Sequence, residues 1–220
     1  MNMKTLLRSI ILMGFTLAAI GLFLLLARPS NQTAPADGEV GEMIELETED
    51  SANLYSDFYL PEFEITDRYG KPITHEVLDG NYTVVDFFFT SCPLWCPGMT
   101  QAMYQVQQAT YGSSLRFMSI SIDGDIDTPE AIDGYATRYR VDADRWAYAT
   151  GDPDVVASLV KDGLKFDLGD INATEDSGRL INHPTRLILL GPDRKVIGLY
   201  RYDDPDEVDE LIADALKLTQ

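Results

Sequence analysis

Asp86-Phe-Phe-Phe-Thr-Ser-Cys92-Pro-Leu-Trp-Cys96-Pro-Gly98 decides the fold and holds the chain's only two cysteines. The apolar run Val84–Phe89 stops at Thr90-Ser91. Such a run reads as a strand buried on both faces, which implies a parallel sheet with helices on each side. Ser91 is the expected N-cap of the next helix and Pro93 its expected first residue. Cys92 and Cys96 then stand on or beside one helical turn, facing the same way. The N–H groups and partial positive charge of a helix start favour thiolate over thiol. Two thiolates there form a soft pincer for Cu(I) or Zn(II), or a dithiol able to close into a disulfide. Packing alone seldom places a chain's whole cysteine content within five positions.

Outward from that stretch, the 220 residues divide by composition. Ser9–Ala27 is apolar and has the ~20-residue length that crosses a bilayer. Lys4 and Arg8 precede it and Arg28 follows, after which the chain turns acidic. The positive-inside rule predicts residues 1–8 on the cytoplasmic side and one anchor at 9–28. A cleaved signal peptide would want a shorter apolar core and a small-x-small site, and Leu26-Ala27-Arg28 is a poor one. The short stretch before Arg8 leaves no room for a mitochondrial transit peptide. A bacterial cell membrane is therefore expected, with the domain on the periplasmic or extracytoplasmic side. Residues 29–56 read as an acidic flexible tether, and 57–220 as one domain. The formal net charge of −19 argues against nucleic acid as a partner, since phosphate binding needs clustered Lys and Arg. A disulfide at i,i+4 would close a very small loop and stabilise little, so function explains the pair better than stability does.

Leu60–Ile73 predicts a hairpin turning at Asp67-Arg-Tyr-Gly70, then a short turn from His75 to Gly80. His75 reads as a surface residue. Gly98–Tyr111 continues the cysteine helix. Met99 and Met103 share its cysteine face, and although thioether sulfur can ligate Cu(I), packing on the sheet is the commoner use. Leu115–Ile122 and Trp146–Thr150 are further strands. Thr128-Pro-Glu and Asp152-Pro-Asp cap the helices that follow each. Asp123-Gly-Asp125-Ile-Asp127 has a calcium-loop spacing but lacks the Gly and Glu such a loop needs, so calcium is rejected. The acidic stretch 167–179 is long for a loop. A strand after Pro184, a turn at Gly191-Pro-Asp-Arg, a strand at Lys195–Arg201 and a helix at Pro205–Leu218 complete an α/β sandwich around a mixed sheet.

His183 stands just before that strand, and Pro184 restricts it to an extended conformation. Should the strand neighbour the cysteine strand, the imidazole meets both sulfurs. Two sulfurs and one imidazole suit Cu(I) and adapt to Cu(II); tetrahedral zinc wants a fourth ligand.

Phe89-Thr-Ser-Cys92-Pro-Leu-Trp-Cys96-Pro resembles the FTxCPxxCP signature of the Sco/SenC family, membrane-anchored copper chaperones of thioredoxin-like fold that serve cytochrome c oxidase assembly. Ser121-Ile-Asp-Gly-Asp-Ile-Asp127-Thr-Pro is similar to the family's SxDxxxDTP stretch. His183, followed by an apolar strand and Gly191-Pro-Asp, is similar to its metal-binding segment. The resemblance implies copper, Cu(I) or Cu(II), on Cys92, Cys96 and His183. It also implies an upstream copper donor, and delivery to the binuclear copper centre of the oxidase or to another exported cuproprotein. Leu94-Trp95 stands where family members carry an acidic residue, and Trp is a common interface anchor. The alternative is an enzyme, a thiol–disulfide oxidoreductase with Cys92 and Cys96 as the redox-active pair. Pro184 occupies the place at which thioredoxin-like reductases carry a cis-proline.

Overall fold

The structure, a computed structural model, describes residues 55–139, 141–166 and 184–220, together with the backbone of two short strands, Thr174–Glu175 and Gly178–Arg179. The expected anchor at 9–28, the tether up to residue 54, His183 and most of the 167–179 stretch lie outside the described residues. Among those described, no helix is long and apolar enough to cross a membrane.

The strands are β1 (Glu64–Asp67), β2 (Pro72–Thr74), β3 (Thr83–Phe88), β4 (Arg116–Ser121), β5 (Trp146–Thr150), β6 (Thr174–Glu175), β7 (Gly178–Arg179), β8 (Arg186–Leu190) and β9 (Val196–Arg201). The helices are α1 (Cys96–Ala109), α2 (Pro129–Arg138), α3 (Pro153–Ser158, continued by a π-turn to Gly163) and α4 (Pro205–Thr219). One seven-stranded sheet runs in the order β2-β1-β5-β4-β3-β8-β9. β3, β4 and β5 are parallel, while β1 and β2 on one flank and β8 and β9 on the other pair antiparallel. This is the mixed sheet expected from the alternation of apolar runs and capped helices. The hairpin turn is as read: Asp67 Oδ1 accepts from the N–H of Tyr69 and Lys71, and Gly70 takes a φ of 77°.

β3 is buried at all six positions and sits between β4 and β8. Phe87, Phe88 and Phe89 are shielded from water, each worth ~1.5–3 kcal/mol of burial. Asp86 interrupts this core. Its neighbour across the ladder is Ser119, whose hydroxyl donates to Asp86 Oδ1 at 2.5 Å and accepts from Trp146 Nε1 at 2.9 Å. A buried carboxylate is tolerated only with such partners. Met99 and Met103 are fully buried under α1, which packs on β3, β8 and α4. They serve as core.

β3 and β8 run antiparallel, with Val85 opposite Ile188 and Thr83 opposite Leu190. Hence β3 delivers the cysteine loop at the same end of the sheet at which the chain enters β8 through Pro184 and Thr185. That shared end positions the site.

Candidate metal centre

α1 begins at Cys96, not at Pro93 as the sequence predicts, and Trp95 rather than Ser91 occupies the N-cap. The reason is local. Cys92 N–H donates to Phe89 O at 3.2 Å, closing a turn over residues 89–92. Proline tolerates only the first helical turn, and Pro97, not Pro93, fills that role. Residues 90–95 therefore form a separate loop, with Cys92 in it and Cys96 at the helix start.

The two cysteines still meet. The N–H of Cys96 donates to Cys92 Sγ at 3.5 Å, so a sulfur takes the first of the helix's orphan N–H groups. Neither cysteine is in a disulfide. Cys92 is slightly exposed and Cys96 is fully buried. The expectation of thiolates at a helix start fails for Cys96. Its hydrogen bond with the Cys92 side chain and its burial push its thiol well above the ordinary range, against a weaker opposing pull from the Phe89 backbone. The magnitudes decide this. A helix start offers an anion ~0.3–1 kcal/mol, whereas an uncompensated buried ion costs several kcal/mol. Cys96 is therefore favoured as the protonated thiol, and a metal that binds it displaces that proton.

The loop carries an apolar rim, with Leu94 60% and Trp95 37% exposed. Trp95 lines a cavity of about 410 Å³ together with Thr185, Arg186, Arg201, Tyr202 and Asp203. Tyr202 lies across the start of α1. A Cβ added at Gly98 would fall 2.8 Å from Tyr202 Cε2, so a larger residue there would push the ring aside. The two guanidiniums are spoken for: Arg186 pairs with Glu207 at 3.3 Å and Arg201 with Asp203 at 3.1 Å. Exposed pairs of this kind contribute ~0–1 kcal/mol, so they shape the rim more than they stabilise the fold.

Of the three residues expected to hold metal, Cys92 and Cys96 are brought together and His183 lies outside the described residues. Pro184 beside it is buried. Among the described residues no peptide bond is cis; the bond joining His183 to Pro184 lies outside them. His75 is a half-buried residue with its ring edge-on to Phe63, far from this constellation in the sheet order. No group of three or more His, Cys, Asp or Glu able to hold a metal occurs among the described residues. One residue escaped the reading of the sequence. Asp127 is fully buried and accepts from the N–H of Thr90 at 2.9 Å, from Thr90 Oγ1 at 2.5 Å and from Ser121 Oγ at 2.6 Å. It ties the cysteine loop to the end of β4. The available signal was an acidic residue directly ahead of the Thr128-Pro129 cap, in a stretch already singled out.

Comparison with known proteins bears on this arrangement. The SCO1 protein homolog of Bacillus subtilis (strain 168) is 29% identical over 154 residues, which cover 69% of this chain and 78% of that protein. A Stutzerimonas stutzeri protein named for copper binding is 30% identical over 147 residues, 64% of this chain and 69% of that protein. Among solved structures, BsSco matches with a TM-score of 0.63 at 26% identity, covering 73% of this chain and 93% of that one. It is described as a member of the Sco family of cytochrome c oxidase assembly proteins in which a disulfide switch was identified. The sheet and helices are accordingly those of the thioredoxin-like Sco structures. The SCO1/SenC family model matches residues 52–220, the whole of the domain, and the chain belongs to that family.

Proposed function

We propose that this chain is a copper-binding chaperone, held to the membrane by residues 9–28 with its domain on the extracytoplasmic side. It binds Cu(I) or Cu(II) through Cys92, Cys96 and His183 and delivers copper to the binuclear copper centre of cytochrome c oxidase during assembly. The observation that carries the reading is the pair itself, two cysteines joined at the mouth of one helix by a hydrogen bond from the Cys96 N–H to Cys92 Sγ. For His183 the support is positional. Thr185, two residues on, lines the same cavity as Trp95, the residue before Cys96. The similarity to a relative named for copper binding and to an oxidase assembly protein points the same way. Soft sulfur donors select Cu(I), and an added imidazole adapts the set to Cu(II). Loading displaces the Cys96 proton, and copper leaves when an acceptor's sulfur or imidazole ligands replace these ones in turn. Leu94 and Trp95 are the surface on which the acceptor closes.

The test is titration of the reduced, detergent-solubilised full chain with Cu(I) and with Cu(II), beside His183→Ala. One equivalent of Cu(I) binds tightly, and the substitution loosens Cu(II) most. Weak Cu(I) binding that ignores the substitution sinks the reading. A second reading, reduction of an exported partner's disulfide, is favoured by the closeness of the two cysteines and by the switch described for BsSco. Fast reduction of a test disulfide by a chain that binds copper weakly would select it.

A further inference from the structure

Asp127 is an acidic side chain in full burial that neither copper ligation nor disulfide exchange uses. Three hydrogen bonds hold its carboxylate, and two of them come from one residue, Thr90, through backbone and side chain together. The third comes from Ser121 at the end of β4. Behind it the chain coils tightly: Ile126 N–H and Asp127 N–H both donate to Asp123 O, at 2.9 and 2.8 Å, which turns the carboxylate back toward the end of β3. Thr90 is the second residue of the turn that Cys92 N–H closes on Phe89 O. The line of contacts therefore runs from Asp127 to Thr90, through that turn to Cys92 Sγ, and from Cys92 Sγ to the N–H of Cys96.

We infer that Asp127 is a positioning residue for the sulfur pair. By clamping Thr90 from two directions it sets where Cys92 Sγ stands against Cys96, and so sets both the hold on Cu(I) and the ease with which the pair closes into a disulfide. The copper half of this inference rests on the function proposed above; the disulfide half does not.

The test uses the full-length chain and four substitutions. Asp127→Asn keeps the size and one acceptor oxygen but replaces the other with an amide donor, so one of the two arms on Thr90 loses its acceptor and the clamp is weakened. Thr90→Val removes only the hydroxyl arm and Thr90→Ser retains it. Ser121→Ala removes the third bond to the same carboxylate without touching the cysteine loop. Two quantities are read. One is Cu(I) affinity. The other is the equilibrium in which the dithiol and one glutathione disulfide give the protein disulfide and two glutathione molecules. Asp127→Asn weakens Cu(I) binding about tenfold, the lower end of the range for residues that orient metal ligands, and shifts the glutathione equilibrium by a similar factor. Thr90→Val falls between, Thr90→Ser matches the unsubstituted chain, and Ser121→Ala lowers the unfolding temperature while leaving both readouts in place. The inference is overturned if Ser121→Ala moves both as far as Asp127→Asn does, or if Asp127→Asn moves neither. Where Asp127→Asn does not fold, the contrast between Thr90→Val and Thr90→Ser decides. Should the unsubstituted chain bind no Cu(I), the proposed function fails, and the glutathione equilibrium still judges Asp127.

Discussion

Among the described residues four helices leave strands of this sheet, and one starts differently from the others. α2 is capped by Thr128, whose hydroxyl accepts from Ala131 N–H, and carries Glu130 in its first turn. α3 is capped by Asp152 and carries Asp154; α4 is capped by Asp204 and carries Asp206 and Glu207. Each arrangement satisfies orphan N–H groups and sets negative charge against the helix dipole. α1 has neither device. Trp95 at its N-cap makes no capping bond and its first turn has no acidic residue, in a chain with 36 Asp and Glu. The Cys92 sulfur takes an N–H there instead. A helix start without carboxylates leaves the positive end of the dipole to the sulfurs, and avoids a second negative charge beside a pair that becomes anionic when it loads.

The strongest way to break this contrast is to remove the sulfur that makes it. Cys92→Ser leaves an oxygen able to accept the Cys96 N–H, so the fold survives, while the soft donor is gone. One-to-one Cu(I) binding is expected to disappear in a titration against a competing Cu(I) chelator. Retention of the original affinity would show that the α1 start is an ordinary cap.

A weaker perturbation is pH. Cys96 is pushed up by its bond to Cys92 and by burial, above an ordinary value of 9.0. Cu(I) must displace that proton, so affinity climbs about tenfold per pH unit for each proton released. Stability has the opposite slope. A raised folded value contributes stability that is complete below the unfolded value and is lost as pH rises past it, so the apo chain weakens above about pH 9. The buried hydroxyls of Tyr135 and Tyr200, both raised chiefly by burial, add to this alkaline loss. Cu(I) affinity that stays flat from neutral to alkaline pH would mean Cys96 is already ionised, contrary to its burial.

Much of this was legible beforehand, and the failures have physical causes. β3, β5, α2 and α4 follow from apolar runs and Pro-bearing caps, which are local signals. The hairpins followed from Asp67-Arg-Tyr-Gly70 and Gly191-Pro-Asp-Arg for the same reason. The start of α1 was misplaced because Pro93 and Pro97 both suit a first turn, and the choice between them falls to a turn bond at Cys92 that no pattern announces. The state of Cys96 was read with the wrong sign because dipole and sulfur chemistry are visible in a sequence, whereas complete burial is not. Asp127 was missed because its partner Thr90 lies 37 positions away. The pairing of β1 with β5, which fixes the N-terminal hairpin to the parallel strands, likewise has no local signature.

The smallest expected effect makes the sharpest comparison, because it exchanges the two kinds of helix start. Thr128→Ala strips the cap from α2 and is expected to cost ~1 kcal/mol in denaturant unfolding, with Cu(I) affinity unchanged, since its hydroxyl serves Ala131 and Glu130 in the first turn of α2. Trp95→Asp gives α1 the charge that the other helices carry. A carboxylate near the dipole gains ~0.3–1 kcal/mol, and loss of the partly buried indole offsets this, so stability moves little. Trp95 keeps helical φ and ψ of −98° and −38° rather than the extended pair seen at Thr128, so the gain comes from charge and not from a new capping bond. The added charge stands one residue from Cys96 and opposes the anionic loaded site, so Cu(I) affinity falls severalfold. Stability and copper thus move separately, one at each helix. If Trp95→Asp instead raises stability and leaves copper binding as it was, the missing carboxylate at α1 has no bearing on the sulfur pair.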